Sequence, residues 1–219
     1  MKIFLDSSDE RAIEKRYATG LIDGVTTNPS LIAKTLYDNA RDLVLNIANN
    51  CPKLESVSIE VHPSAANDAG AMLNEALDYR AHKMLTTKLP CTVAGLQVCA
   101  ELKERGQSTN VTLVFSVAQA ILAAKAGATY VSPFVGRTED NSYDGVKLVR
   151  DIAAAYREHM VSTQILAASI RSVAQVEQLF LAGADIVTMP PEVFDKMYDH
   201  ILTREGLAKF QKDAEKKQG

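Results

Sequence analysis

The chain has 219 residues, of which 47% are hydrophobic and 23% are charged, and these proportions are typical of a folded globular protein. A formal charge of −3 argues against general attraction to nucleic acid or anionic lipid, and no run approaches the roughly 20 apolar residues of a membrane span. The chain reaches Asp6 before any apolar run as long as that of a signal peptide, and its three cysteines lack a paired spacing. We therefore expect a cytoplasmic protein with no nucleic-acid or membrane partner.

Short apolar runs that are typical of buried strands recur along the whole chain. They are Lys2–Asp6, Gly24–Asn28, Ser56–Val61, Met84–Leu89, Asn110–Phe115, Tyr130–Val135, Gln164–Ser169 and Ile186–Met189. Segments with the three-to-four-residue spacing of helices lie between them. These segments include Pro29–Asn50, Ala65–Arg80, Val93–Arg105 and Val117–Ala126. Eight alternating strands and helices predict an α/β fold, namely a single (β/α)8 TIM barrel spanning residues 1–219.

An open doubly wound sheet is the alternative arrangement of the same alternating elements. It is disfavoured because Asp6 and two serines follow the first strand, where that fold carries a glycine-rich phosphate loop. The final segment, Arg204–Lys217, places Leu207 and Phe210 on one helical face and predicts a C-terminal helix. That helix is either a solvated tail or a contact with a neighbouring subunit.

Polar residues occupy alternate positions of several predicted strands, although strands covered on both faces should be nearly continuous hydrophobic runs. They include Asp6, Thr26, Asn28, Ser58, Glu60, Thr86, Lys88, Asn110, Thr112, Ser132 and Ser169. Two-residue periodicity places each set on one side of its strand. A half-exposed antiparallel sheet would show the same alternation, but its hairpins need no helical crossovers. In a barrel, these groups line the interior near the carboxyl ends of the strands, where such barrels have their active sites.

Lys88 is the most informative of these residues because it lies inside the strand-like run Met84–Pro90. A free lysine has a pKa of about 10.4, so only roughly one copy in a few thousand is the uncharged amine at neutral pH. Burial of a lysine disfavours the cation and makes the amine available for Schiff-base chemistry with a carbonyl. Carboxylates such as Asp6 and Glu60 act in the opposite direction, because they stabilise the cation. The alternative is a lysine at a strand end whose ammonium snorkels to water.

Two arginines follow late strands of the predicted barrel. Arg137 follows the sixth strand, and Arg171 follows the seventh strand two residues after Ser169. Planar guanidinium groups bind phosphate bidentately, and loops after late strands are frequent phosphate sites in this fold. Each arginine alone is equally typical of a surface ion pair. Both arginines beside a carbonyl-reactive lysine favour a sugar phosphate as the ligand.

The motifs resemble those of the transaldolase family, and specifically its short-chain branch, which includes the fructose-6-phosphate aldolases. The resemblance runs along almost the whole chain and rests on Phe4–Asp6, Gly24–Ile32, the Lys88 strand, Asn110–Ser116, Val131–Arg137 and Ala167–Arg171. The stretches Thr26–Ile32 and Ser132–Arg137 are highly specific, whereas the first strand alone is weak. The resemblance implies sugar-phosphate substrates, with no metal and no organic cofactor.

A role for each matching residue follows from the resemblance. Lys88 looks like the Schiff-base lysine that attacks the C2 carbonyl of a ketose phosphate. Asp6 looks like the acid/base group that takes the C4 hydroxyl proton as the C3–C4 bond breaks. Glu60 and Thr112 resemble the pair that holds a water for proton transfers. Residues that resemble the surroundings of the dihydroxyacetone unit are Thr26, Asn28, Asn110 and Ser132, and those that resemble the phosphate site are Arg137, Ser169 and Arg171.

Two positions resemble the transaldolases more than the aldolases, in which Gln and Tyr stand in place of Glu60 and Phe134. Phenylalanine cannot donate the proton that would release the enamine as free dihydroxyacetone. We therefore expect a transaldolase of the pentose phosphate pathway that moves a dihydroxyacetone unit from fructose 6-phosphate or sedoheptulose 7-phosphate to an aldose phosphate. The alternatives are a fructose-6-phosphate aldolase, a non-catalytic sugar-phosphate-binding protein and a metal-assisted aldolase. The resemblance also implies a homo-oligomer, either a pentamer or a decamer.

Overall fold

The computed structural model describes residues 1–216, in which eight parallel strands alternate with helices and close into a barrel. The strands are Lys2–Asp6 (β1), Gly24–Thr26 (β2), Ser56–Glu60 (β3), Leu85–Pro90 (β4), Thr109–Val114 (β5), Tyr130–Pro133 (β6), Gln164–Ala167 (β7) and Ile186–Met189 (β8). Each strand pairs with the next, and Lys2 lies opposite Ile186, which closes the cylinder. The predicted (β/α)8 barrel is confirmed, and the alternative prediction of an open doubly wound sheet is wrong.

Helices occupy the connections between the strands. They are Glu10–Tyr17 (α1), Pro29–Ile32 (α2), Ala40–Asn50 (α3), Ala69–Asp78 (α4), Val93–Glu104 (α5), Val117–Lys125 (α6), Val135–Asp140 (α7), Gly145–Glu158 (α8), Val173–Ala182 (α9), Pro191–Lys196 (α10) and Ile201–Glu215 (α11). Short polar side chains cap many of them by accepting a hydrogen bond from the backbone N–H three residues further on. These caps are Asp9, Asp68, Thr92, Ser116, Asp144 and Ser172.

Capping residues also explain where two predicted helices differ from the observed ones. The predicted helix Pro29–Asn50 is divided into α2 and α3, because Asn39 starts a second helix by accepting a hydrogen bond from the Arg41 N–H. The predicted helix Ala65–Arg80 is shortened to α4, since Asp68 caps its first turn and 3-10 turns flank it on both sides. Local hydrogen bonding therefore decides boundaries that hydrophobic spacing left too wide.

The C-terminal helix is present, and it begins at Ile201 instead of the predicted 204. It is described as far as 215, and the predicted end at 217 lies outside the described residues. None of its residues from 201 to 215 is buried, and Leu207 and Phe210 are exposed. Within residues 1–216, no helix combines the length and the apolar character that a membrane crossing needs.

A cluster of large side chains packs inside the amino-terminal half of the barrel. Phe4, Tyr130, Leu166 and Ile186 form a buried cluster there. The rings of Phe4 and Tyr130 lie 6.1 Å apart although β1 and β6 are not neighbours, so the contact crosses the interior. Gly24 is required beside this cluster, because a Cβ atom at that position would lie 2.5 Å from the Phe4 ring. Asp6 and Ser132 lie two residues beyond Phe4 and Tyr130 on the same faces of β1 and β6, toward the carboxyl ends of the strands.

Candidate active site

Lys88 lies on β4 with its side chain inside the barrel, and only 4% of the residue is exposed. Its Nζ atom is 3.0 Å from Oε2 of Glu60 and donates a hydrogen bond of 3.1 Å to the carbonyl oxygen of Thr27. The two charged side chains meet because Glu60 and Lys88 are direct partners in the register of β3 and β4. The ammonium therefore does not reach bulk solvent as a snorkelling lysine would, and its ion pair offsets part of the cost of burial.

Asp6 provides a second carboxyl group at the carboxyl end of β1. Burial is the largest influence on the Asp6 carboxyl and raises its pKa above the ordinary value. The charge of Lys88 and a hydrogen bond from Thr26 lower this pKa, while the charge of Glu60 raises it further, and the net direction is upward. Ionising Asp6 therefore costs more in the folded chain than in the unfolded chain. Its contribution to stability decreases as the pH rises from the unfolded pKa of about 3.9 through the raised folded value.

The hydroxyl of Thr26 on β2 donates a hydrogen bond of 2.7 Å to Oδ1 of Asp6 and lies 2.7 Å from the hydroxyl of Thr188 on β8. The sequence did not lead us to Thr188. It was recognisable as the one polar residue of the run Ile186–Met189, but threonine is also an ordinary strand residue, so this signal is weak. The three side chains connect the neighbouring strands β8, β1 and β2 on one side of the barrel.

Other polar groups are organised on the opposite side of the barrel. Ser132 donates a hydrogen bond of 2.7 Å to Oδ1 of Asn110, whose Nδ2 atom lies 3.4 Å from the hydroxyl of Ser58. These bonds orient the Asn110 amide within the interior. The hydroxyl of Thr112 is buried and has no hydrogen-bond partner among residues 1–216. It therefore retains its capacity to donate and accept hydrogen bonds. Thr112 lies on β5 two residues beyond Asn110, which is the register partner of Lys88.

A cavity of about 110 Å³ opens at this end of the barrel. Its lining residues are Asp6, Thr26, Asn28, Lys88, Ser132, Phe134, Arg137, Ala168, Ser169 and Thr188. Most of the predicted site residues are thus brought together around one small space. The exceptions, which do not line the cavity, are Glu60, Asn110, Thr112 and Arg171.

The ring of Phe134 lies close to the two cations of the cavity, Lys88 and Arg137. The centre of its ring is 5.9 Å from Nζ of Lys88 and 4.8 Å from Cζ of Arg137. The ring also packs edge-to-face on Phe115, with 5.9 Å between the ring centres. β6 ends at Pro133, earlier than predicted, and Phe134 precedes the first turn of α7. The aromatic face attracts both cations and presents no hydroxyl group to the cavity.

The two arginines predicted to hold a phosphate lie in different surroundings. Arg137 contributes to the cavity lining, whereas Arg171 forms a bidentate ion pair with Asp140 outside it. The Arg171 guanidinium holds the pKa of the Asp140 carboxyl below its usual value. Both partners are exposed, so this pair is of the kind that contributes little to stability. In this arrangement the Arg171 side chain does not line the cavity.

The loops that carry these arginines approach each other closely. A Cβ atom at Gly136 would lie 2.3 Å from the carbonyl oxygen of Ser169, which explains why glycine stands there. Ser169 itself has a φ of 62°, a left-handed conformation that costs a non-glycine residue on the order of 1–3 kcal/mol. The side chain of Gln175 accepts a hydrogen bond of 2.7 Å from the backbone N–H of Arg171. Packing and hydrogen bonds therefore hold the backbone of the two loops that carry Arg137 and Arg171.

A larger groove of about 800 Å³ opens at the opposite, amino-terminal end of the barrel, where Gly127, Thr129, His159 and Thr163 contribute to its walls. The small cavity is nevertheless the candidate active site, because it holds Lys88 beside a carboxyl group at the end where such barrels carry their chemistry. Among residues 1–216, no group of three or more His, Cys, Asp or Glu side chains is arranged to hold a metal ion.

Comparisons with known proteins assign the chain to a family. The family model for transaldolase/fructose-6-phosphate aldolase matches residues 3–219. A Caulobacter vibrioides protein named "Probable transaldolase" is 47% identical over 215 residues, which are 97% of this chain and 96% of the relative. A Bacillus cereus protein named "Probable transaldolase 2" is 46% identical over 216 residues, with 97% of both chains covered. A "Probable transaldolase" of Symbiobacterium thermophilum is 43% identical over 222 residues and covers 100% of this chain and 99% of its own.

A solved structure is similar in fold alone. The thiamine phosphate pyrophosphorylase from Pyrococcus furiosus superposes with a TM-score of 0.58 at 14% identity, over 86% of this chain and 85% of that protein. Its likeness supports the barrel architecture and carries no information about the reaction. The match along residues 3–219, together with relatives above 40% identity over nearly their whole length, identifies the chain as a member of the transaldolase/fructose-6-phosphate aldolase family of enzymes.

Proposed function

We propose that this enzyme is a transaldolase, which transfers a dihydroxyacetone unit from fructose 6-phosphate or sedoheptulose 7-phosphate to an aldose phosphate through a Schiff base on Lys88. The observation that carries the proposal is a buried lysine ammonium 3.0 Å from the Glu60 carboxylate, in a cavity lined also by Asp6 and Arg137. A lysine and two carboxyl groups are costly to bury for structural purposes alone, since apolar residues would stabilise the interior better. Family membership supports the same reaction class.

Schiff-base formation begins with loss of a proton from the Lys88 ammonium, for which Glu60 is the adjacent acceptor. The free amine then attacks the C2 carbonyl of the ketose and forms a carbinolamine. Return of a proton to the C2 hydroxyl lets it leave as water, and a protonated imine results. The Thr112 hydroxyl, with its unused hydrogen-bonding capacity, supports a bridging water in these transfers.

Carbon–carbon cleavage follows when Asp6, in its ionised form, takes the proton of the C4 hydroxyl. The electrons of that O–H bond form the C4 aldehyde, and the electrons of the C3–C4 bond move into the imine and produce an enamine on Lys88. The aldose phosphate leaves, and a second aldose phosphate accepts the dihydroxyacetone unit by the reverse of the same steps. Hydrolysis of the new Schiff base releases the product ketose.

Substrate positioning falls to the remaining polar groups. Asn110 and Ser132, joined by their 2.7 Å hydrogen bond, are suited to hold hydroxyls of the dihydroxyacetone unit. Arg137 and Ser169 line the cavity on the side suited to the phosphate. Arg171 joins them by exchanging the Asp140 carboxylate for the phosphate, an exchange that costs little because the pair is exposed.

The acceptor requirement distinguishes a transaldolase from a fructose-6-phosphate aldolase. With fructose 6-phosphate as donor, we expect rapid turnover when erythrose 4-phosphate is present and slow release of free dihydroxyacetone when it is absent. The physical reason is that Phe134 offers the enamine no proton, so the enamine persists until an aldose arrives. Release of dihydroxyacetone at equal rates with and without the acceptor would assign the aldolase activity instead.

Glu60→Gln combined with Phe134→Tyr is expected to raise acceptor-free cleavage relative to transfer by at least about tenfold. The tyrosine hydroxyl would stand beside Lys88 and could protonate the enamine, and a positioned proton donor contributes about 10²–10⁴-fold. The ratio of free dihydroxyacetone to transfer product measures the effect. Phe115→Tyr is the matched control, because Phe115 packs on Phe134 but makes no contact with Lys88. An unaltered ratio in the double variant would refute the proton-donor argument.

Arg171→Ala is expected to raise the KM for fructose 6-phosphate by about tenfold. Such an increase lies near the lower end of the roughly 1.5–3 kcal/mol of a charged hydrogen bond, because the side chain is exposed. Steady-state kinetics measures the change, and the KM of unphosphorylated fructose should not move. Arg105→Ala, which breaks an exposed pair with Glu101 on α5, serves as the control. If the KM for fructose 6-phosphate is unaffected, the phosphate binds elsewhere.

Association of several copies is also proposed. The exposed Leu207 and Phe210 on α11 are suited to a neighbouring subunit, and the expected pentamer or decamer stays a prediction. Sedimentation velocity of the full chain measures the assembly state, and a monomer at micromolar concentration would contradict it.

A further inference from the structure

Thr188 is a buried residue of the site for which the proposed chemistry assigns no role. It is 2% exposed on β8, and its hydroxyl lies 2.7 Å from the hydroxyl of Thr26, which in turn is 2.7 Å from Oδ1 of Asp6. Both distances are typical of well-formed hydroxyl hydrogen bonds. The three groups form a continuous chain from β8 through β2 to β1, and this chain ends on the carboxyl group that is to remove a proton from substrate.

The number of protons available fixes the donor and the acceptor of each hydrogen bond in this series. A hydroxyl carries one proton, and an ionised carboxylate carries none to donate. When Asp6 is ionised, Thr26 must give its only proton to Asp6, and it can then only accept a hydrogen bond from Thr188. The order is therefore Thr188 O–H to Thr26 O–H to the Asp6 carboxylate. Hydrogen bonds arranged head to tail polarise one another, so the outer hydroxyl strengthens the bond made by the inner one.

We propose that Thr188 is a positioning residue, which directs the Thr26 hydroxyl at Asp6 and so stabilises the carboxylate that removes the C4 hydroxyl proton. The inference rests on the proposed role of Asp6. Charged groups also face Asp6 from other strands, with Lys88 on β4 favouring the ionised form and Glu60 on β3 opposing it. The uncharged Thr188 hydroxyl, like the charge of Lys88, favours the ionised form of Asp6. Because the carboxyl group is buried, water does not replace this stabilisation.

The pH dependence of kcat/KM tests this role, because its acidic limb reports the base of the free enzyme. Thr188→Val removes the hydroxyl and keeps the shape of the side chain. We expect it to move the acidic limb upward by about half a pH unit, so that kcat/KM on that limb falls about threefold while the plateau changes less. Thr188→Ser keeps the hydroxyl and should restore the wild-type profile, which a purely structural role would not require.

Thr86→Val is the matched control, because Thr86 forms a comparable buried hydroxyl pair of 2.8 Å with Ser56 that is not joined to Asp6. It should leave the acidic limb in place. A Thr188→Val enzyme with an unmoved limb would overturn the proposal. A uniform increase in KM at every pH would also overturn it, because Thr188 would then contact the substrate directly.

A readout that is independent of turnover separates this inference from the proposed function. In protein labelled with ¹³C at aspartate carboxyl carbons, the Asp6 resonance is the one missing from Asp6→Asn, and its titration can be followed directly. We expect the titration of Asp6 to move upward in Thr188→Val, even if the enzyme proved to release dihydroxyacetone instead of transferring it. An identical titration in wild type and variant would refute the positioning role, whatever the reaction.

Discussion

The Lys88→Met variant is expected to form no borohydride-stable adduct with fructose 6-phosphate, whereas the wild-type chain gains the mass of the reduced sugar phosphate at this lysine. Methionine has a similar length but no nucleophilic nitrogen. Transfer activity should fall on the order of 10⁴-fold or more, because loss of a covalent nucleophile removes the whole route through the bound intermediate. Mass mapping of peptides after reduction measures the first effect, and a coupled transfer assay measures the second.

Lys103→Met is the matched control for this experiment, since Lys103 is exposed on α5 and lies away from the cavity. It should trap the sugar and turn over as the wild type does. Substitution of Lys88 also leaves Glu60 without its partner, so a thermal unfolding curve is needed to establish that the variant is folded. Equal trapping in Lys88→Met and wild type would assign the Schiff base to a different lysine.

The Asp6→Asn variant is expected to separate Schiff-base formation from cleavage. The amide can still accept the hydrogen bond from Thr26, but it cannot take a proton from the C4 hydroxyl. Borohydride trapping should therefore persist, while the rate of C3–C4 cleavage falls about 10²–10⁴-fold, the usual contribution of a positioned general base. Single-turnover kinetics of aldose phosphate release measures the cleavage step.

The pH profile provides a second test of Asp6. Burial raises the pKa of its carboxyl, so the wild-type cleavage rate should fall as the pH drops through a value above the reference of about 3.9. This limb should be absent from the residual activity of Asp6→Asn. Asp23→Asn is the control, because Asp23 accepts a hydrogen bond from the Ile3 N–H at the opposite end of the barrel. Cleavage at the wild-type rate in Asp6→Asn would transfer the role of base to another group, of which Glu60 is the nearest to Lys88.

Polar residues in otherwise apolar strands were the sequence signal that located most of the cavity. Lys88, Thr26 and Ser132 could be assigned to the interior because the direction of a strand side chain depends only on the pleat, which is a local property. Their convergence followed from the parallel arrangement, in which the carboxyl ends of all strands meet at one rim. Helix boundaries were less accurate, as the division at Asn39 illustrates, since a single cap can override hydrophobic spacing.

Contacts between distant residues could not be predicted in the same way. The pairing of Arg171 with Asp140 joins residues 31 positions apart, one in the loop before α9 and the other at the end of α7. The hydrogen bond between Thr188 and Thr26 spans 162 positions and exists only because β8 returns to β1. No local pattern records such a distance, since it depends on how the sheet closes and how its strands are staggered.

The amino-acid sequence by itself determined the alternation of strands and helices, the interior placement of Lys88 and the family to which the chain is similar, because each depends on local periodicity or on motifs along the chain. The tertiary structure alone decided that Glu60 pairs with the lysine, that Arg171 lies outside the cavity and that Thr188 is joined to Asp6 through a second hydroxyl. These are relations between strands and loops, and closure of the barrel is the physical event that brings them within hydrogen-bonding distance.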